Sequence, residues 1–241
     1  MKRIGIMFGK EFSAYFNSPI AYVLLVVFLV FQGWWFFWFR PFFVIEAAEM
    51  REFFGILPFV FLFVIPAMSM RLWAEERRTG TIEVLLTLPL NDHEVILGKF
   101  LASVAFLAVA LALTFPIYLV VSYVGSPDPG PIVASYLAAL LVGAAYLSIG
   151  LFASALTKNQ IVAFILALVA CLALFLVGYA TQLSGLLTET LTNVLSYIGL
   201  GVHYESMSRG VIDSRDVVYY LSIIGLFLFL NARVLAGRNL T

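Results

Sequence analysis

The sequence predicts an all-α integral membrane protein with six transmembrane helices, an amphipathic helix ahead of the first and an external amphipathic stretch before the last. Three observations carry this. The 241 residues are 63% hydrophobic and 12% charged, where ordinary soluble domains carry about 25% charged residues. Six apolar runs are long enough to cross a bilayer, a helix rising about 1.5 Å per residue through a hydrocarbon layer of about 30 Å. Charge is gathered instead of dispersed: the stretch Ala74–Lys99 holds Glu75, Glu76, Arg77, Arg78, Glu83, Asp92, Glu94 and Lys99 between two apolar runs.

Residues 1–19 form the leading amphipathic unit. On a helix, Ile4, Met7, Phe8, Phe12, Tyr15 and Phe16 share one arc, while Lys2, Arg3, Lys10, Ser13 and Asn17 share the other. This predicts a helix at the membrane interface with its cations toward headgroups. Glu11 falls within the apolar arc, where a carboxylate is costly unless it meets a cation, turns toward protein or snorkels to the headgroups.

Residues 20–241 carry the spans. Ile20–Phe39 is the first, with Gln32 among its few polar side chains and Trp34, Trp35 and Trp38 as an interfacial belt, and Arg40–Pro41 ends it. Phe53–Met70 is the second and contains Pro58 and Pro66, which a membrane helix tolerates when neighbours satisfy the freed carbonyls. Phe100–Val124 and Ile132–Leu156 follow as an antiparallel pair joined by the turn Gly125–Pro131. Gly143, Ala144, Ala145, Ser148 and Gly150 give the fourth span small faces for close helix contact. Ile161–Ala180 is the fifth span and Val217–Ala236 the sixth, the latter capped by Asp213 or Ser214. Between them, in the region 182–216, Leu183, Leu186, Leu187, Leu191, Val194, Leu195 and Ile198 recur at helical spacing among polar residues, which predicts a segment that lies at the interface or dips in and returns.

Lys and Arg set the orientation. With the amino terminus inside, Lys2, Arg3, Lys10, Arg71, Arg77, Arg78, Lys99, Lys158, Arg233 and Arg238 are cytoplasmic, and Arg40, Arg51, Arg209 and Arg215 are external. Ten against four places both termini and the 74–99 segment in the cytoplasm. No cleavable leader is expected, because the first strong apolar run begins near Ile20 and is too long for one.

The 74–99 segment has a readable local structure. Arg71–Arg78 continues the second span into water, Gly80 breaks that helix, and Thr79 or Thr81 caps a short new one with Ile82, Leu85 and Leu86 on one face and Glu83 opposite. Pro89 stops it, and Asn91 with Glu94 makes a capping-box start for the helix that runs through Lys99. The product is a crossbar joined to two spans; the plainer reading is a solvated loop that only sets topology.

Catalytic and cofactor chemistry is missing. There is no G-x-x-x-x-G-K-[ST] cradle for nucleotide phosphates and no G-x-S-x-G elbow. His93 and His203 lie on opposite sides of the predicted membrane without metal-ligand spacing, and the lone Cys171 reads as a packing residue. No Asp, Glu, Lys or Arg sits buried at mid-depth in a span, which disfavours an ion-coupled carrier or a proton relay. A net charge of zero names no nucleic-acid partner. His203, Glu205, Arg209, Asp213 and Asp216 form the densest outer cluster, an external gate, a partner contact or simple caps. Tyr118, Tyr123, Tyr136, Tyr146 and Tyr179 read as belt and packing residues or as the lining of a path.

EERRTGTIEVLLTLPL followed by GKF at Gly98–Phe100, and KEFSAYFNSPIAYV at Lys10–Val23, resemble ABC-2 type transporter permeases. LTKNQIVAF at Leu156–Phe164 and HYESMSRGVIDSRDVVYY at His203–Tyr220 are similar to the gliding-motility-associated branch. The resemblance implies an amino-terminal elbow helix, a cytoplasmic coupling helix at Thr81–Leu88 seated in a cleft of a separate ATP-binding subunit, and an external re-entrant hairpin at Gln182–Ile198. Glu75, Glu76, Arg77 and Arg78 would then be polar contacts at that interface, with Lys10 and Glu11 at the elbow junction close by. It further implies two ATP-binding subunits holding ATP and Mg, a second permease copy or close relative, an auxiliary protein with a large external domain, and a bacterial inner membrane location. The short outer turn at Gly125–Pro131 departs from the pattern by leaving little external mass to grip a substrate. The rival reading is a membrane scaffold that transmits ATPase strokes to an external partner without passing a substrate.

Overall fold

The structure is a computed structural model that describes residues 2–39, 49–82, 91–179 and 189–237. Expectations for Arg40, for the crossbar beyond Ile82 (Glu83, Leu85 and Leu86 among them) and for 182–188 fall outside the described residues. The described residues contain eleven α-helices and no strand: α1 (Lys2–Phe16), α2 (Pro19–Trp34), α3 (Arg51–Ser69), α4 (Arg71–Thr79), α5 (Asp92–Ala112), α6 (Phe115–Val124), α7 (Pro129–Leu156), α8 (Gln160–Leu176), α9 (Glu189–Ile198), α10 (Leu200–Ser208) and α11 (Ser214–Ala236). A π-helical stretch, Trp35–Phe39, extends α2. Among the described residues six helical units are long and apolar enough to span a membrane: α2 with its extension, α3–α4, α5–α6, α7, α8 and α11. The chain is a multi-pass membrane protein.

The centre is α7, which packs against α3, α4, α5, α8, α10 and α11. Its small residues make this possible. A Cβ on Gly143 would overlap Leu107 of α5, and one on Gly150 would overlap Ser69 of α3. Outward-facing apolar side chains such as Val26, Val30, Phe63, Ile165 and Val169 are exposed, as a lipid-facing surface requires.

Prolines shape two spans. Pro58 has no N–H to give the Phe54 carbonyl one turn back, and the Tyr204 hydroxyl of α10 donates to that oxygen at 2.7 Å. Burial pushes the Tyr204 phenol above its ordinary range, so it stays a donor. The third span is not continuous: it breaks at Leu113–Thr114, just before Pro116 in the first turn of α6. Thr114 covers the break, donating to the Leu111 carbonyl at 2.6 Å and meeting the Tyr136 hydroxyl at 2.9 Å.

The amphipathic α1 spends part of its apolar arc on protein. It runs parallel to α5, with Arg3 at 3.9 Å from Glu94, Glu11 at 3.0 Å from Lys99 and Tyr15 at 2.9 Å from Ser103. Met7 and Tyr15 are buried, while Ile6 is exposed. Gly98 permits the approach, since a Cβ there would stand 2.7 Å from that of Met7.

Candidate functional site: an ionic junction at the Lys99 end

Lys99 lies two turns into α5, and its side chain is 1% exposed. A lysine so enclosed needs its three N–H groups satisfied. Nζ donates to Glu11 of α1 at 3.0 Å, to Glu76 of α4 at 2.8 Å and to the Leu72 carbonyl at 3.0 Å. It also lies 5.0 Å from the centroid of the Trp73 ring. Glu11, the carboxylate misplaced on an apolar arc, thus has its cation, with Lys10 a more distant second at 3.8 Å. One ammonium group binds α1, α4 and α5 to each other.

The surroundings reinforce this. Arg71 donates to Ser18 Oγ at 2.6 Å and lies over the Tyr15 ring, joining the start of α2 to the start of α4. Burial pushes the Tyr15 phenol up to about 12, which keeps it neutral opposite Ser103. Ser154 of α7 accepts from the backbone N–H of Trp73 and Ala74 at 3.0 and 3.1 Å and donates to the Met70 carbonyl at 2.8 Å. That hydroxyl seals the α3–α4 joint, where the helix turns past Pro66.

The predicted interface residues divide. Glu75, Arg78, Thr79, Gly80 and Thr81 are exposed, Ile82 is half-buried, and Glu76 faces Lys99. Arg77 is buried, and its guanidinium nitrogens have no hydrogen-bond partner among the described residues. It lies one turn beyond Trp73 and Ala74, whose backbone N–H groups meet Ser154. Gly80 ends α4 in the left-handed region at φ 75°, and Thr79 Oγ1 donates back to the Glu75 carbonyl at 2.9 Å. Asn91 and Glu94 form the capping box that starts α5, Glu94 accepting from the Asn91 N–H at 3.1 Å.

At the opposite end, His203 and Asp216 come together, with Nδ1 and Oδ1 2.7 Å apart and both residues buried. Nε2 of His203 lies 3.1 Å from the Tyr197 carbonyl, which can only accept, so that nitrogen carries a hydrogen. The Tyr219 ring stacks on the imidazole, and Tyr219 and Tyr220 donate to the Ile198 and Leu200 carbonyls. Gly178 and Gly199 cross backbone to backbone, where a Cβ on Gly199 would overlap Gly178. The other members of the predicted outer cluster do local work: Asp213 caps α11 through the Arg215 N–H, and Glu205 pairs with Arg209 one turn on, both exposed. Tyr204, Tyr219 and Tyr220 escaped a reading of the sequence, since no spacing marks which tyrosines face inward.

Among the described residues no group of three His, Cys, Asp or Glu side chains is arranged to hold a metal ion. No curated protein matches the chain significantly. The family model described as ABC-2 family transporter protein matches residues 9–237, nearly the whole length, and the chain belongs to that family.

Proposed function

We propose that this chain is the half of an ABC exporter-like complex that receives mechanical work, through the segment following α4, from a separate ATP-binding subunit. Membrane components of the family work with an ATPase activity that resides in another subunit. The observation that carries the reading is the Lys99 junction. Displacement of α4 at its Gly80 end is passed to α1 and α5 by hydrogen bonds and ion pairs of 2.8–3.0 Å, and α4 is itself held to the central α7 by Ser154. A short helix at Thr81–Leu88 seated on the ATP-binding subunit would then tilt two spans together. Glu75 and Arg78, exposed on α4, are positioned for polar contact with that subunit.

The rest of the assembly follows the same reading. The Lys99 end is cytoplasmic, with both termini, in a bacterial inner membrane. Two permease halves and two ATP-binding subunits, which hold ATP and Mg, make the working unit. The segment Gln182–Ile198, which includes α9, acts as an external re-entrant hairpin and α1 as an elbow helix. The stretches at Leu156–Phe164 and His203–Tyr220 support membership of the gliding-motility-associated branch.

The test is ATP hydrolysis by the complex purified from native membranes. Arg78→Glu should lower permease-stimulated hydrolysis while the protein remains inserted; unchanged stimulation counts against the interface. A second reading, mechanical transmission to an external auxiliary protein, draws on the brevity of the outer connection, α6 ending at Val124 and α7 beginning at Pro129. ATP-dependent movement of lipid or glycan probes in reconstituted vesicles would separate the two.

A further inference from the structure

We propose that His203 and Asp216 form a one-proton catch that holds the carboxyl end of α9 against α10 and α11, and loosens it when that proton is lost. The proton count follows from donors and acceptors. The Tyr197 carbonyl can only accept, so the 3.1 Å contact with Nε2 needs a hydrogen on that nitrogen. The 2.7 Å contact between Nδ1 and Asp216 Oδ1 needs a second hydrogen, because a bare Nδ1 and an ionised carboxylate are both acceptors. The pair therefore holds one proton more than a neutral imidazole beside a carboxylate. When it leaves, the remaining hydrogen stays on Nδ1, where its bond to the charged oxygen is the stronger one. Nε2 then turns a lone pair on the Tyr197 oxygen, and that bond is gone.

The surroundings make this proton matter. Among the described residues no other cation pairs with Asp216, and its Oδ2 is enclosed without a partner. Asp216 stands in the first turn of α11 and the imidazole meets the carboxyl end of α9, the ends whose dipoles favour an anion and a cation. The start of α10, on which His203 itself stands, opposes the cation, so Asp216 and α9 hold the proton and not its own helix. The other titratable groups turned this way are phenols: Tyr219 stacked on the imidazole, Tyr220 edge-on to it, and Tyr146 of α7 and Tyr204 within electrostatic reach of Tyr220. Phenols are uncharged below about pH 10. Cys171 of α8 lies beyond Tyr146, Tyr179 lies against Gly201, and α3 presents the Phe54 carbonyl, already taken by Tyr204. Glu205, Arg209 and Arg215 are exposed, and Asp213 is half-buried as a cap.

Little else holds α9. It has no extensive packing against another described helix, and Val194, Tyr197 and Ile198 are exposed. Its last carbonyls are taken by His203 and by the Tyr219 hydroxyl. Tyr219 keeps its bond to Ile198 when the proton leaves, so α9 loosens without detaching. In the topology proposed above this end faces the outside, and external acidity would set how firmly α9 is held; the catch itself stands or falls without that reading.

The test is hydrogen exchange on the detergent-purified full chain, corrected for the intrinsic pH dependence of amide exchange. From about pH 6 to about pH 9, protection of the amides around Tyr197–Gly199 should fall roughly ten-fold, the worth of one lost hydrogen bond from a charged donor, while protection across the centre of α7 stays flat. Asp216→Asn is the discriminating variant. Its amide can donate to a bare Nδ1, so a neutral imidazole keeps its Nε2 hydrogen on Tyr197, and protection should stay high at every pH. A flat wild-type profile, or an undiminished pH response in Asp216→Asn, overturns the catch. Imidazole nitrogen resonances read the same proton with the pair intact. The chain has two histidines and His93 is exposed, so His93→Gln leaves His203 alone. Raising the pH should strip the hydrogen from Nε2 and leave one on Nδ1; the reverse order overturns the proposal.

Discussion

Tyr204 donates its hydroxyl hydrogen to the Phe54 carbonyl at 2.7 Å, filling the position that Pro58 leaves empty in α3. A proline inside a membrane helix frees the carbonyl one turn back, and lipid offers nothing to satisfy it. The partner comes from a segment 150 residues away.

This bond makes the first prediction a double-mutant cycle. Tyr204→Phe should cost about 1–3 kcal/mol, the penalty for stranding a buried acceptor. In a Pro58→Ala background the helix recovers its own N–H for Phe54, so the same change should cost much less. Thermal unfolding in detergent checks it, and an equal loss in both backgrounds would refute the link between Pro58 and Tyr204.

Lys99→Met should destabilise the protein by about 3 kcal/mol, because Glu11 and Glu76 keep their charge without a cation. Adding Glu11→Gln and Glu76→Gln should restore much of that stability. It should not restore stimulation of the ATP-binding subunit, if the ionic junction rather than mere packing carries motion. Unfolding midpoints and hydrolysis rates, measured on the same preparations, separate the two effects.

Gly98→Ala should loosen α1 from α5. The added Cβ stands 2.7 Å from that of Met7, so a helix must shift, at about 1–3 kcal/mol. Gly225→Ala, with nothing within 4 Å of its Cβ, serves as the control and should be neutral or slightly stabilising. Hydrogen exchange along α1 should rise in the first variant only.

His203→Ala should strand a buried Asp216 carboxylate and release the end of α9, lowering stability by about 3 kcal/mol. His203→Ala with Asp216→Asn should recover part of the loss, since no charge is then left unpaired. Exchange protection over α10 and the start of α11 is the readout; equal protection in the single and double variants would argue against the pair as a clamp.

Much of this architecture was legible in advance. The helices and their limits follow from local rules: apolar run length, Pro and Gly as breaks, Asn91 with Glu94 and Asp213 as caps. The small residues of α7 and the displaced charge of Glu11 also pointed to what they needed, close neighbours and a cation. The Thr114 break was less visible, because the apolar pattern runs through it unbroken.

Taken alone, the sequence determined the class, six spanning units and a charged segment between the second and third, because hydropathy, capping and helix breaking act over a few residues at a time. Only the tertiary structure decided that Lys99 turns inward to Glu11 and Glu76 instead of meeting water, that Arg77 is buried while Arg78 is exposed, and that His203 finds Asp216. The reason is physical. The side-chain period of a helix says which residues share a face, but not which helix that face will meet. The partner of a buried charge is chosen by packing between segments that can be 88 residues apart, as Glu11 and Lys99 are.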